Sequence, residues 1–138
     1  MGDFRTYKVT DAGGVAIHRA VVRGTNPGEC KKPTAANGLG CVGITTEAQA
    51  NQNRGVAVQT HGPGMAEMYG SGAYGDALAI GDTSGRLASA EVGLEDLAEA
   101  GGAYLTNVVA YAEEAWTQTG DVIAIRIIDP FTKLTPVT

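Results

Sequence analysis

Short apolar runs recur along the chain and alternate with clusters of turn-forming residues. The runs are rich in Val, Ile and Ala, whereas Gly, Pro, Asn, Asp and Ser fill the segments 24–28, 37–38, 61–64 and 81–85. Runs that recur about every ten residues with turns between them are typical of β-strands in a small barrel or sandwich. The predicted strands are residues 20–22, 41–45, 56–60, 65–69, 77–80, 86–89, 108–112 and 122–128.

One segment, residues 94–100, has the spacing of a helix. Leu94 and Leu97 are three residues apart, and Gly101 follows them as a C-terminal stop. The pattern as a whole therefore predicts a mainly β fold, a small β-barrel-like domain with at most one short helix.

The two halves of the chain resemble each other, which indicates an internal duplication over about residues 15–60 and 73–128. Upstream matches occur at an offset of 58 residues, and extra residues at 92–102 in the second half lengthen the offset to 67. The alternative is chance similarity among Ala- and Val-rich segments. The matched pairs are Ala20/Leu78, Val22/Ile80, Thr25/Thr83, Val42/Val109, Ile44/Tyr111, Glu47/Glu114, Ala48/Ala115, Val56/Ile123, Ala57/Ala124 and Val58/Ile125.

Residues 1–14 are polar and end in Ala-Gly-Gly, a pattern that favours an N-terminal arm. Phe4 and Tyr7 interrupt this polarity, and we expect them to dock on this subunit or on a neighbour. Because the arm contains no predicted strand, deleting residues 1–11 is expected to leave the β-rich domain, residues 15–128, folded. Residues 129–138 are predicted to form a C-terminal tail.

Composition limits the stability and the partners of such a domain. Val, Ile, Leu and Phe together make up 28 of the 138 residues, which is near the lower limit for a self-sufficient core. A net charge of only −5 argues against disorder, so we expect a thin core that gains stability by association. Ten scattered Lys and Arg residues argue against a nucleic-acid partner. The longest apolar stretch, at 122–128, is too short to cross a membrane, and no signal-peptide core is expected at the start.

The possible metal ligands do not form a recognisable set. Cys30 and Cys41 have ten residues between them and no His pair nearby, which makes a poor zinc site. We expect two reduced thiols, with a disulfide as the alternative. His18 and His61 have no partner at ligand spacing, so no metal and no cofactor is predicted.

The other candidate groups also lack a catalytic arrangement. The acidic pairs 95–96 and 113–114 are sequence neighbours, whose side chains diverge on a strand or a helix. Residues 70–75 fit the G-x-G-x-x-G pattern but are followed by a glycine at 81, too soon for a nucleotide-binding helix. Ser71, Ser84 and Ser89 do not lie in a nucleophile elbow. We therefore predict no catalytic residues, and a protein that is not an enzyme.

Several motifs resemble the capsid decoration (cement, or head-stabilising) proteins of tailed bacteriophages, over about residues 12–128. The first half carries Ala-Gly-Gly at 12–14, Ala-Val-Val at 20–22, Val-Gly-Ile-Thr-Thr-Glu-Ala at 42–48 and Gly-Val-Ala-Val at 55–58. The second half repeats the pattern in weaker form, with Val-Ala-Tyr-Ala-Glu-Glu-Ala at 109–115 and Gly-Asp-Val-Ile-Ala-Ile at 120–125.

The resemblance implies a β-tulip fold and a homotrimer at three-fold positions on the outside of a phage capsid. The implied partner is the major capsid protein, and the protein would be made in the host cytoplasm and need no cofactor. Candidate capsid or intersubunit contacts are Phe4, Tyr7 and Trp116. The alternatives are another small structural subunit of the head or tail, or a small β-domain enzyme or ligand-binding module.

Overall fold

Nine β-strands form the part of the chain that the computed structural model describes, residues 3–90 and 103–136. No helix occurs in these two ranges, so no helix that could span a membrane is found among these residues. The helix predicted at 94–100 lies outside them. The mainly β, barrel-like fold is confirmed. The strands are β1 (Asp3–Val9), β2 (Ala20–Arg23), β3 (Glu29–Lys31), β4 (Cys41–Thr45), β5 (Gly55–Glu67), β6 (Ala77–Ile80), β7 (Leu87–Ser89), β8 (Ala103–Ala112) and β9 (Val122–Pro136).

The first five strands close into a small barrel in the order β1-β3-β2-β4-β5, with β5 pairing back to β1. All of these strand pairings are antiparallel except that of β1 with β3, which is parallel at Lys8/Glu29 and Val9/Cys30. Closure leaves no free sheet edge in this barrel. Its interior is one apolar cluster of small side chains: Val9, Val15, Val21, Cys30, Val56 and Val58.

The second half repeats this arrangement. The later part of β5 takes the place of β1: it pairs antiparallel with β9 and then, at Met68, forms a parallel bridge to Leu87 of β7. Strands β7, β6, β8 and β9 correspond to β3, β2, β4 and β5. The same long strand therefore ends one barrel and begins the next.

Individual hydrogen bonds repeat at the predicted offset of 67 residues. The Ala57 amide donates to Glu47 Oε2 at 2.9 Å, and the Ala124 amide donates to Glu114 Oε1 at 2.7 Å. Glu47 and Glu114 thus hold equivalent corners of the two barrels, which accounts for the shared Glu-Ala motif.

The upstream offset is 57 residues and not the predicted 58. Ala20 pairs with Ile44 as Ala77 pairs with Tyr111, so Ala77, and not Leu78, is the counterpart of Ala20. A shift of one residue exchanges the two faces of a strand. The strand register matches five interior residues of the first barrel with larger ones in the second, whereas Val15 corresponds to the smaller Gly72. The five pairs are Val9 with Met68, Val21 with Leu78, Cys30 with Leu87, Val56 with Ile123 and Val58 with Ile125.

The predicted arm contains a barrel strand. Residues 3–9 form β1, which pairs with β5 over six positions and closes the first barrel. The predicted tail also continues a strand, because β9 runs to Pro136 and pairs with the start of β8. The first half therefore begins at β1 and not at residue 15.

Residues 61–64, predicted as a turn, lie inside β5, where the strand passes from one barrel to the other. Gln59 is buried at this passage and donates from Nε2 to the carbonyl oxygens of His61, at 3.2 Å, and Pro63, at 2.5 Å. The glycines and proline thus mark a bend within a strand.

Candidate functional site

The residues considered for metal or acid–base chemistry do not converge. Among residues 3–90 and 103–136, no group of three or more His, Cys, Asp and Glu side chains is placed to hold a metal ion. His18 lies in a turn with φ of 63°, and its amide donates to Thr45 O at 3.0 Å. His61 is exposed on β5. The two histidines have structural or surface positions.

Both cysteines are free thiols in protected surroundings. Cys30 lies buried inside the first barrel, and burial together with the charge of Asp11 raises the pKa of its thiol to about 11. Cys41 is half-buried at the start of β4, and burial raises its pKa to about 11 as well. A thiol that stays protonated at neutral pH is a poor nucleophile and a poor metal ligand.

The remaining motif residues have structural contacts. Glu113 pairs with Arg126 on the outer surface at 3.2 Å, while its neighbour Glu114 caps a backbone amide. The acidic pair 95–96 lies outside the described residues. The glycine-rich segment 70–75 is a loop that leads into β6, and no helix follows it. Its Gly72 exchanges two backbone hydrogen bonds with Trp116, at 3.0 and 3.1 Å.

A network of ion pairs joins the two barrels. Glu67 Oε2 accepts from Arg19 Nη2 at 2.9 Å and from Arg86 Nε at 2.6 Å, and Arg86 Nη1 donates to Asp82 Oδ2 at 3.1 Å. Burial alone would raise the pKa of Asp82, but the hydrogen bonds from Ser84 and Arg86 and the charge of Arg86 together lower it. The two arginines and the two carboxylates neutralise one another, so the network holds the two barrels together at their junction.

The three predicted contact residues have different surroundings. Phe4 points outward from β1 and is 58% exposed, and Tyr7 is half-buried against the interior of the first barrel. Trp116 is only 3% exposed, and its Nε1 donates to Tyr69 O at 3.2 Å. Trp116, predicted as a capsid or intersubunit contact, is thus buried within the subunit, where its indole closes the second barrel from within. Contacts of Phe4 and Tyr7 with a partner stay a prediction.

An open groove of about 590 Å³ lies at one mouth of the first barrel. β1, β2, β4 and the β2–β3 hairpin form its walls. The side chains of Arg5 and Arg23 line it, with Tyr7 between the barrel interior and Arg5 along β1. Glu29 also lines the groove, together with Pro27 and Val42.

The equivalent end of the second barrel is closed and apolar. Gly64 stands where the first barrel has Arg5, and Ile80 stands where it has Arg23. Ile80 is fully buried, and the loop before β4 covers it, since the Asn37 amide donates to Ile80 O at 2.7 Å. The duplicated units have therefore diverged at this end, one into a filled core and one into an open cationic groove.

Sequence reasoning did not find this groove. Arg5 was assigned to an arm, and Arg23 fell just beyond a predicted strand. The available signal was the alternation in residues 4–9, where Arg5, Tyr7 and Val9 share one face.

Exposed apolar side chains also lie on the outer face of the second barrel. Met65, Tyr111 and Val122 are 43%, 37% and 42% exposed on the adjoining strands β5, β8 and β9. Single exposed apolar residues are ordinary, but several on neighbouring strands are typical of a contact surface.

Comparison with known proteins identifies the fold at low sequence similarity. No family profile matches the chain, and no curated protein sequence matches it. A solved structure, the head fibre gp8.5 N base of bacteriophage phi29, matches 93% of this chain and 95% of its own, with a TM-score of 0.59 and 14% sequence identity. The two proteins share a fold. The match includes both barrels, because it extends over nearly the whole of each chain.

Proposed function

We propose that this chain is a structural, non-enzymatic protein of a phage virion, which binds the outside of the head and stabilises the shell. The observation that carries the proposal is the fold shared with a phage head fibre base over 93% of the chain. The motifs of the decoration family, read from the sequence, point to the same location independently.

The finer proposal is a homotrimer at three-fold positions, in contact with the major capsid protein, after synthesis in the host cytoplasm. The small side chains inside the first barrel support a need for association, because a core of Val and Cys buries little apolar area per residue. A trimer that contacts several capsid subunits at once would convert weak single contacts into firm retention.

A second candidate is the base of a head fibre, the role of the phi29 protein with the same fold. Both candidates place the chain on the head, and they differ in whether it carries a further appendage.

The experiment uses heads of the encoding phage from which this protein has been deleted. Purified chain is added in increasing amounts, the heads are sedimented, and the bound density is located by electron cryomicroscopy. We expect saturable binding with three copies at each three-fold position, and a higher temperature of head disruption. Heads that already carry the protein are the matched control and should take up none. Failure of the deleted heads to bind the chain would refute a head location, and density at another position would refute the three-fold arrangement.

A further inference from the structure

The groove at the mouth of the first barrel has the geometry of a binding site for carboxylates. Side chains alternate along a strand, so Arg5, Tyr7 and Val9 of β1 share the inward face, with buried Val9 deepest and Arg5 at the mouth. On β2, Val21 points inward and Arg23 follows two residues later at the same mouth. Two strands thus bring two guanidinium groups to one opening above an apolar floor.

Both guanidinium groups lack a partner among residues 3–90 and 103–136, where the side chains of Arg5 and Arg23 make no hydrogen bond and no ion pair. Glu29, the acid on the rim, is engaged elsewhere: its Oε1 accepts from the Asn26 amide at 3.0 Å and its Oε2 lies 3.5 Å from Lys8 Nζ. The hydrogen bond from Asn26 lowers the pKa of Glu29, which keeps it ionised and paired. Within the described part of the chain, the groove therefore carries two positive charges that no acidic side chain pairs with.

The comparison between the barrels shows that the fold does not need these charges. The equivalent positions hold Gly64 and buried Ile80 in the second barrel, where a buried apolar side chain closes the same end. Arg5 and Arg23 are exposed and contribute little to the core of the first barrel. Arginines at these positions are thus more readily explained by a ligand than by stability.

We infer that the groove binds an acidic segment of a protein partner through carboxylates seated on Arg5 and Arg23. A guanidinium presents a planar fork of donors that matches a carboxylate, and a concave setting strengthens the attraction. Two arginines suit one or two acidic side chains, whereas nucleic acid requires a longer basic surface than a chain of net charge −5 offers here. The identification of that partner as the capsid rests on the proposed function.

A solution experiment tests the site without any capsid. The full chain, labelled with ¹⁵N, is titrated with a hexaglutamate peptide while the arginine Nε–H signals are followed by NMR. We expect saturable shifts of the Arg5 and Arg23 signals that weaken as salt is added. The R5A/R23A variant should weaken binding by about tenfold or more, and R5K/R23K should keep part of it because the charges remain without the fork.

The matched control removes two exposed cations from the opposite end of the same barrel. The K32A/R54A variant lowers the net charge equally and should bind hexaglutamate within about twofold of the unaltered chain, since Lys32 and Arg54 lie away from the groove. Equal weakening in both double variants, no shift at Arg5 and Arg23, or tighter binding of a short oligodeoxynucleotide at these arginines would each overturn the inference.

Binding to deleted heads separates this inference from the proposed function. If the unaltered chain binds heads and R5A/R23A binds them at least about tenfold more weakly, the result supports both the proposed function and the groove as the site of contact. If R5A/R23A binds heads as well as the unaltered chain does, the groove is not the capsid contact and the inference fails while the proposed function survives. If the unaltered chain does not bind heads, the proposed function fails, and the hexaglutamate titration alone decides whether the groove takes carboxylates.

Discussion

Trp116 closes one end of the second barrel because residue 72 is a glycine. The backbones of Gly72 and Trp116 exchange hydrogen bonds, and the indole lies directly over the Gly72 Cα. The only tryptophan of the chain is thereby held in a fixed place, with its Nε1 bonded to Tyr69 O. Burial of a tryptophan whose N–H has a partner is among the larger single contributions to a small core.

Replacing Gly72 with alanine should destabilise the protein by about 1–3 kcal/mol, because the new Cβ would overlap the Trp116 ring and force it to move. Denaturant unfolding measures the free energy change. Gly13→Ala is the matched control, since a Cβ at residue 13 has no atom within 4 Å, and it should change stability by less than about 0.5 kcal/mol. Equal stability of the two variants would show that Trp116 is not packed on residue 72.

The two thiols should be inert in the folded protein and reactive in the unfolded one. At pH 8 we expect no reaction of Cys30 or Cys41 with a thiol-specific reagent until denaturant is added, since burial raises both pKa values to about 11. The unfolded chain releases these protons nearer the ordinary value of 9.0. The stability they confer is therefore complete below about pH 9 and declines as the pH rises towards 11.

The matched variant is Cys30→Ala/Cys41→Ala, whose free energy of unfolding should decline less between pH 8 and pH 10 than that of the unaltered chain. The difference between the two slopes removes the contribution of Lys and Tyr, which titrate in both proteins. Identical slopes, or rapid labelling of Cys30 at pH 8 without denaturant, would contradict the burial assigned to these thiols.

Residue identities alone allow a search for local ligand and nucleophile motifs, but they do not show which side chains meet. The sequence itself shows that Cys30 and His18 have no partner at metal-ligand spacing, because sets of metal ligands have characteristic local spacings. The direction of Arg5 was not readable, since it depends on β1 being a strand and on a closure between residues distant in sequence. The burial of Trp116, a predicted capsid or intersubunit contact, was not readable either, because Gly72, on which it packs, is 44 residues away in the sequence.

Among the strands, β1 decides whether the first barrel is closed. It contributes buried Val9 to the interior and pairs with both β3 and β5. Without it, the inward faces of these two strands and their backbone groups would meet water. A closed barrel tolerates loss of a strand poorly, because both new edges are left unpaired.

Deletion of residues 1–11 should therefore destabilise the first barrel, contrary to the expectation from the sequence that the domain stays folded. We expect Cys30 to react with a thiol reagent at pH 8 in the truncated chain, since its cover is removed. Phe4→Ala is the control within β1: Phe4 points outward, so this variant should leave Cys30 protected. A truncated chain with protected Cys30 would restore the interpretation of residues 1–14 as an arm.

The strands that the sequence predicted are those with a buried, apolar face. β2, β4, β6 and β8 were found because they carry runs of Val, Ile and Ala. β1 was not predicted as a strand. At the mouth of the barrel it carries polar Arg5 on the inward face and apolar Phe4 on the outward face, the reverse of the usual strand pattern. β5 was divided at residues 61–64 because Gly-Pro-Gly is ordinarily turn chemistry, and here it bends a strand that serves two barrels.

At the scale of the whole molecule, the two barrels meet at one apolar cluster and one polar junction, although the interior of the first barrel is a separate cluster. Ala20, Val22 and Ile44 of the first barrel belong to the same buried cluster as the interior of the second. Backbone hydrogen bonds cross between the halves, from the Ala20 amide to Gly85 O at 2.7 Å and from the Glu67 amide to His18 O at 2.9 Å. The shared strand β5 adds a covalent link, so neither barrel can unfold without exposing part of the other.

Unfolding should accordingly be a single transition, and a cavity at the junction should weaken both barrels together. Trp116 fluorescence reports the cluster that fills the second barrel, and labelling of Cys30 reports the interior of the first. Both should give the same denaturant midpoint.

Ile44→Ala should lower the free energy of unfolding by about 2–4 kcal/mol and shift both midpoints equally, since the lost side chain is 2% exposed between the barrels. Leu39→Ala, at a side chain that is 74% exposed, should change neither midpoint appreciably. Two separate midpoints in the unaltered chain would show that the barrels fold independently, and a shift confined to Cys30 in Ile44→Ala would show that the junction does not couple them.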